Sequence, residues 1–196
     1  LDTPPPDEVF QLVTRPELAP DEPEMITVGF EKGRPVSING EAMDLVTLLE
    51  KAAEAGCRHG CGIVDHIEDR IVGLKVRDIY EIPAASIILT AHQELEKVVS
   101  TIHQNNFKAA LENHWAYLCY AGLWYEPLRT DLDAYMIAAN EFVTGEVTVK
   151  LYKGSATVVA RSSPYALYDK SLAGFSESGG EFSQLAVVQR VGNDSI

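Results

Sequence analysis

The order in which the apolar residues change their period decides what this chain can fold into. Met25 to Phe30 alternates as a strand does, Glu31 to Arg34 reads as a turn, and Pro35 to Ile38 returns, closed by Asn39-Gly40. From Ala42 to Ala55 the spacing becomes helical: Leu45, Leu48, Leu49, Ala52 and Ala53 share a face, and Gly56 reads as the stop. The stretch Gly62 to Ala85 returns to β character and divides into strands 61–67 and 70–75 across Glu68-Asp69. Ile87, Ile88, Ala91, Leu95, Val98, Val99 and Ile102 then describe a helix of about five turns. A second helix is expected from Phe107 to Tyr120, stopping near Gly122. A third starts at Pro127, carries Leu128, Leu132, Tyr135, Ile137, Ala138 and Phe142, and ends at Gly145. Residues 146–152 and 155–161, joined by Lys153-Gly154, form the clearest hairpin. Strands and helices come in blocks rather than alternating as βαβ units. The expected fold is therefore α+β, a largely antiparallel or mixed sheet covered by helices.

Ahead of this pattern, residues 1–24 carry six prolines, Pro4, Pro5, Pro6, Pro16, Pro20 and Pro23, which rule out a helix or a central strand. They predict an extended arm or interdomain linker, with Val9, Phe10, Leu12 and Val13 able to dock. The organisation expected is an arm over 1–24, one domain over 25–170 and a Ser/Gly-rich tail over 171–196. That tail has one apolar run at Leu185–Val188 and is a possible oligomerisation arm. A net charge of −13 argues against duplex nucleic acid or an anionic membrane as partner. No apolar run approaches a membrane span.

Three cysteines, Cys57, Cys61 and Cys119, are too few and too irregular for a disulfide framework, and a cytoplasmic protein with reduced thiols is expected. Cys57 and Cys61 with His59 and His66 could be imagined around a metal, but the spacing lacks a second Cys/His pair, and no metal is expected. The chain has no Walker-type loop, GxGxxG, Gly-x-Ser-x-Gly or His-Glu-x-x-His. No nucleophile has an obvious partner, so catalytic residues stay unassigned.

One stretch carries more. The run His59-Gly60-x-Gly62-x-x-Asp65-x-x-Glu68-Asp69-Arg70-x-Val72-Gly73-x-Lys75-x-Arg77-x-x-Tyr80-Glu81-x-Pro83 resembles the C-terminal synthetase domain of argininosuccinate synthases. The resemblance continues through Thr90-Ala91-His92-x-Glu94-Leu95-Glu96, Tyr120-x-Gly122-Leu123-Trp124-Tyr125-x-Pro127-Leu128 and Val143-Thr144-Gly145-x-Val147-x-Val149-Lys150-Leu151-Tyr152-Lys153-Gly154. It runs on to Arg161-x-Ser163-Pro164-x-x-Leu167-Tyr168, so the matches are collinear from about 25 to 175. The chain departs from the family pattern at Ile63, where Arg is usual, and at Val76, where Ser is usual. It also departs at Ser100-Thr101-Ile102-His103-Gln104 and in the tail around Phe182–Val188, where the customary Gly-Phe is missing.

The resemblance implies an enzyme that joins L-citrulline and L-aspartate using ATP and Mg2+ and releases AMP and pyrophosphate. It implies a homotetramer built partly through the C-terminal arm. The family's nucleotide-binding domain and most aspartate contacts lie upstream of the matching part, so this chain is expected to be inactive alone and to form part of a chain about twice as long. Start at Leu1 rather than Met agrees with that expectation.

Two positions match the family's citrulline-binding residues, Glu68 and Tyr80. A carboxylate can pair with the substrate α-ammonium, and a phenol can donate to or accept from its neutral polar groups. Without the resemblance, Glu68 reads as a solvated acid at a hairpin tip and Tyr80 as an aromatic plug between sheet and helix. A straight strand from the tip would carry Tyr80 about 20 Å away, which calls for a bend or a second subunit. Arg70, Lys75 and Arg77 read as ion-paired surface groups, and His92 as a satisfied buried histidine. Trp115, Tyr120, Trp124 and Tyr125 read as core or subunit contacts. Two other readings stay open: a stand-alone binding or assembly module, and a paralogous ligase acting on another ureido or guanidino acid.

Overall fold

The computed structural model describes residues 1–168, so the expected tail 171–196 lies outside them. Among the described residues the elements follow the order β1 (Glu24–Glu31), β2 (Arg34–Ile38), β3 (Glu41–Ala42), α1 (Leu45–Arg58), β4 (Ile63–Asp69), β5 (Lys75–Glu81), α2 (Pro83–Val99), α3 (Ile102–Tyr120), α4 (Pro127–Ala139), β6 (Gly145–Tyr152) and β7 (Ser155–Ser162). The fold is α+β. A five-stranded antiparallel sheet runs in the order β3-β2-β1-β6-β7, and β4-β5 stands apart as a two-stranded hairpin.

The three tight turns of the main sheet share one local cause. Lys32-Gly33, Asn39-Gly40 and Lys153-Gly154 all hold both residues at positive φ, the conformation that a two-residue hairpin with right-twisted strands requires. Alternation then does the rest. Ile26, Val28 and Phe30 of β1 point to the same face as Val147, Val149 and Leu151 of β6, and that face is the core. Leu48, Ala52 and Ala55 of α1 and Ile87, Ile88, Ala91 and Leu95 of α2 cover it.

Several boundaries differ from the sequence expectation, each for a physical reason. The helix from Ala42 starts instead at Leu45, because Asp44 caps it by accepting from the Val46 and Thr47 amides while Ala42 pairs with Ser37. Gly56 does not stop that helix. It lies inside it, at the point where α1 crosses α2, and a Cβ there would sit 2.7 Å from Pro83 Cβ. The long helix ends at Val99 rather than Ile102, because Thr101 and Gln104 form a capping box that starts α3. The helix from Pro127 ends at Ala139, short of Phe142, and Gly145 opens β6.

Within residues 1–24, Glu24 already belongs to β1, and short 3-10 turns occupy Asp7–Val9 and Pro16–Leu18. The segment is held to the domain by its own amides. Gln11, Leu12 and Val13 donate to the Glu81 carboxylate, at 2.9, 3.0 and 2.7 Å, and Thr14 donates to the Cys57 carbonyl at 2.9 Å. Val13 is buried.

Candidate functional site

The hairpin of the central motif turns later than its charge pattern indicates. Strands 61–67 and 70–75 are replaced by β4 at 63–69 and β5 at 75–81, joined by residues 70–74. Gly73, at φ 82°, supplies the left-handed residue, and its amide and that of Arg70 close the loop onto Arg70 and Leu74 carbonyls, both at 2.8 Å. The apolar residues Ile71, Val72 and Leu74, read as strand, are exposed at the tip. Glu68 is thereby moved from the tip into β4, paired with Val76.

This shift explains how two side chains twelve positions apart meet. In the observed register Val64 faces Tyr80 and Glu68 faces Val76, so Glu68, Val76, Asp78 and Tyr80 all project from one face of the hairpin. The Tyr80 hydroxyl donates to Glu68 Oε2 along that face. No second subunit is needed for the contact. Tyr80 is 40% exposed rather than a plug between sheet and helix.

Glu68 is 8% exposed, although it stands on a two-stranded hairpin, because other groups close around its carboxylate. Tyr120, the last residue of α3, donates to Oε1 at 2.5 Å. Arg70 Nε lies 3.3 Å from the same oxygen, while its Nη2 is 3.2 Å from Asp78 Oδ2. Two carboxylates against one guanidinium leave the group net negative.

The electrostatics follow from these contacts. Hydrogen bonds from Tyr120 and then Tyr80 hold the Glu68 carboxyl below the usual carboxylate range, with Arg70 adding to them against the opposing effect of burial. In return the Glu68 carboxylate pushes the Tyr80 phenol up to about 12 and raises that of Tyr120. At neutral pH the site is an ionised carboxylate flanked by two neutral phenols. Each carboxylate oxygen has lone pairs beyond those the phenols use, so the group can still accept from an ammonium. Its chemistry is charge pairing and hydrogen bonding.

The other expected residues divide. Lys75 pairs with Asp69, and Arg77 pairs with Asp65 at 2.8 Å while reaching the Thr3 carbonyl at 2.8 Å. Both project from the opposite face of the hairpin, as ion-paired surface groups. Arg70 differs, since it joins the Glu68 group. His92 is largely buried, edge-on to Phe30 with Nδ1 3.6 Å from Glu96 Oε2.

The aromatic residues expected in the core or at a subunit contact are not core. Trp115 gives its N–H to Asp133, Trp124 lies exposed under the Arg129 guanidinium, and Tyr125 is almost fully exposed. Tyr120, read only as one of them, is the neighbour of Glu68 that sequence reasoning missed. It lies 52 positions from Glu68, and no local pattern links the two.

Cys57, Cys61, His59 and His66 find separate partners. Cys61 is buried with Sγ 3.2 Å from the Ser155 carbonyl, His59 Nε2 lies 2.9 Å from Glu24, and His66 tilts against the Tyr80 ring. Burial pushes both the Cys57 and Cys61 thiols up, with the Glu81 charge adding to the effect at Cys57. Among the described residues no cluster of three or more His, Cys, Asp or Glu could hold a metal ion, and no helix is long and apolar enough to cross a membrane.

A cleft of about 870 Å³ opens elsewhere, between the β1–β2 turn, α2, α3 and α4. Of its charged lining, Lys108 is bound to Glu96 and Glu112, Lys32 to Glu141, and Asp133 to Arg129. With these charges already paired, concavity alone does not make it the better site.

The whole of this arrangement lies within residues 1–190, which match the family model described as "Arginosuccinate synthase C-terminal domain". The chain belongs to that family. It is 49% identical over 173 residues to the argininosuccinate synthase of Symbiobacterium thermophilum, covering 88% of this chain and 43% of that protein. It is 50% identical over 173 residues to the Pyrococcus furiosus argininosuccinate synthase, covering 88% and 42%, and 46% identical over 182 residues to that of Methanocaldococcus jannaschii, covering 93% and 46%. The chain thus spans less than half the length of these curated relatives. Within this argininosuccinate synthase domain, the motif Lys75-x-Arg77-x-x-Tyr80-Glu81-x-Pro83 is strand β5 and the first residue of α2. It contributes the Tyr80 phenol on one face and the Glu81 anchor for residues 11–13 at its end.

Proposed function

We propose that this chain is the citrulline-holding part of an argininosuccinate synthase, an ATP-dependent ligase of arginine biosynthesis. The complete enzyme condenses L-citrulline with L-aspartate and releases AMP and pyrophosphate. One observation carries the reading: the two positions that match the family's citrulline residues, Glu68 and Tyr80, meet in one hydrogen-bonded, net negative group. An ionised carboxylate shielded from bulk water suits the α-ammonium of an amino acid, and the half-exposed Tyr80 phenol suits a neutral polar neighbour.

ATP and Mg2+ are assigned mainly to the rest of the enzyme. The sequence has no Walker-type phosphate loop, and the described residues hold no group of three or more His, Cys, Asp or Glu that could bind a metal ion by itself. Their binding, and most contacts to aspartate, belong to the part of the enzyme that these residues do not include, and the isolated chain is expected not to turn over.

A homotetramer in the cytoplasm completes the proposal. Exposed Ile71, Val72, Leu74, Tyr125 and Ile137 at the hairpin tip and on and around α3 and α4 provide apolar surface for subunit contact, and the cysteines are free thiols.

A second reading has an observation of its own. Val76, where the family usually has Ser, is the direct cross-strand partner of Glu68, so the residue beside the carboxylate is apolar. That favours a paralogous ligase for a related ureido or guanidino acid. The first test is calorimetric titration of the complete enzyme with L-citrulline in Glu68→Gln and Tyr80→Phe forms. Losses of about tenfold or more are expected, whereas wild-type affinity in both variants would remove the assignment. Substrate profiling against citrulline analogues separates the two readings.

A further inference from the structure

We propose that Tyr120 is a positioning residue of this site: from the end of α3 its phenol fixes the Glu68 carboxylate in the orientation that meets a substrate ammonium. The inference rests on Glu68 being the partner of citrulline, and it adds a residue to that reading.

Glu68 has a flexible side chain on a hairpin that pairs with no other strand among the described residues. Its cross-strand partner, Val76, offers no hydrogen bond, and Tyr80 rides on the same hairpin, so neither fixes the carboxylate relative to the rest of the domain. Tyr120 does. It belongs to α3, whose Leu118 is buried and whose Lys108 is bound to Glu96 of α2 at 2.8 Å, and α2 lies on the main sheet. The hydroxyl-to-Oε1 contact of 2.5 Å therefore ties the carboxylate to the core through two helices.

The division of labour on the carboxylate is consistent with this. Tyr120 and Arg70 approach Oε1 and Tyr80 takes Oε2, which pins the plane of the group while leaving lone pairs on both oxygens. A carboxylate ordered before the substrate arrives avoids the ordering cost on binding, so its loss appears as weaker citrulline binding rather than slower chemistry.

The test uses the complete enzyme and citrulline kinetics for wild type, Tyr120→Phe, Glu68→Gln and the double variant. Phenylalanine keeps the ring and removes only the hydroxyl. Tyr120→Phe is expected to raise the citrulline KM about tenfold, with the loss falling on KM rather than kcat, and to add nothing in the Glu68→Gln background. Wild-type behaviour of Tyr120→Phe, with citrulline lost in Glu68→Gln, overturns the positioning role and leaves the citrulline assignment standing. An equal loss in both backgrounds overturns it too, because Tyr120 then acts independently of Glu68. Wild-type kinetics in Glu68→Gln remove the citrulline reading and this inference together.

Discussion

Tyr80 stands diagonally across the β4–β5 hairpin from Glu68, and its hydroxyl donates to that carboxylate from the neighbouring strand. The pair exists because an antiparallel register brings positions 68 and 80 to one face, and it makes each residue's ionisation depend on the other.

Tyr80 is expected to ionise late. The Glu68 hydrogen bond, burial and the Glu68 charge raise its phenol to about 12. A group whose folded pKa is raised stabilises fully below its unfolded pKa, about 10 for tyrosine, and that contribution is lost as pH rises through about 12. Alkaline difference absorbance should show two late-titrating tyrosines in the wild type, Tyr80 and Tyr120, both of which move back toward 10 in Glu68→Gln. An unmoved transition would show that the carboxylate does not hold the phenol.

Glu81 is expected to anchor residues 11–13 against acid. Burial alone would raise its carboxyl, but the Val13, Gln11 and Leu12 amides outweigh it and hold the group below its ordinary value. Its contribution is therefore full above the unfolded pKa of about 4.3 and lost as pH falls through the lower folded value. Glu81→Gln should cost about 1 kcal/mol at pH 7 and flatten the loss of stability below pH 4. Urea unfolding at both pH values, with hydrogen exchange at residues 11–13, checks it.

Gly56→Ala should destabilise the domain although it improves helix propensity. Alanine gains about 1 kcal/mol in a helix interior, but the added carbon meets Pro83 Cβ at 2.7 Å and Ile87 Cδ1 at 3.2 Å. Forcing the helices apart should cost about 1–3 kcal/mol, so the net change is destabilising. An increase in thermal stability would mean that α1 and α2 separate freely.

Lys108 should be worth most to its partner. Its ammonium is buried between Glu96, at 2.8 Å, and Glu112. Burial alone would lower its pKa, but hydrogen bonds to Glu112 and Glu96 raise it. Lys108→Met leaves the buried Glu96 charge with His92 as its remaining neighbour, at an expected cost of about 3 kcal/mol, and adding Glu96→Leu should recover most of that. A double variant no more stable than the single one would show that the cost does not arise from a stranded charge.

The sequence by itself determined the class and the family. Its blocks of period two and period 3.6 favoured an α+β fold with a largely antiparallel or mixed sheet, and its X-Gly pairs placed the three tight turns of the main sheet, because those signals act over a few residues. The collinear motif named Glu68 and Tyr80 without showing how they meet. Only the tertiary structure decided that. On β4–β5 both faces mix apolar and charged residues, so no hydrophobic side dictates the register, and the turn was read too early. Gly56 looked like a helix stop, because a local signal cannot tell a terminus from the crossing of a second helix. Tyr120 looked like an ordinary aromatic, because the carboxylate it meets lies 52 residues away in sequence and is brought within reach by the tertiary packing of α3.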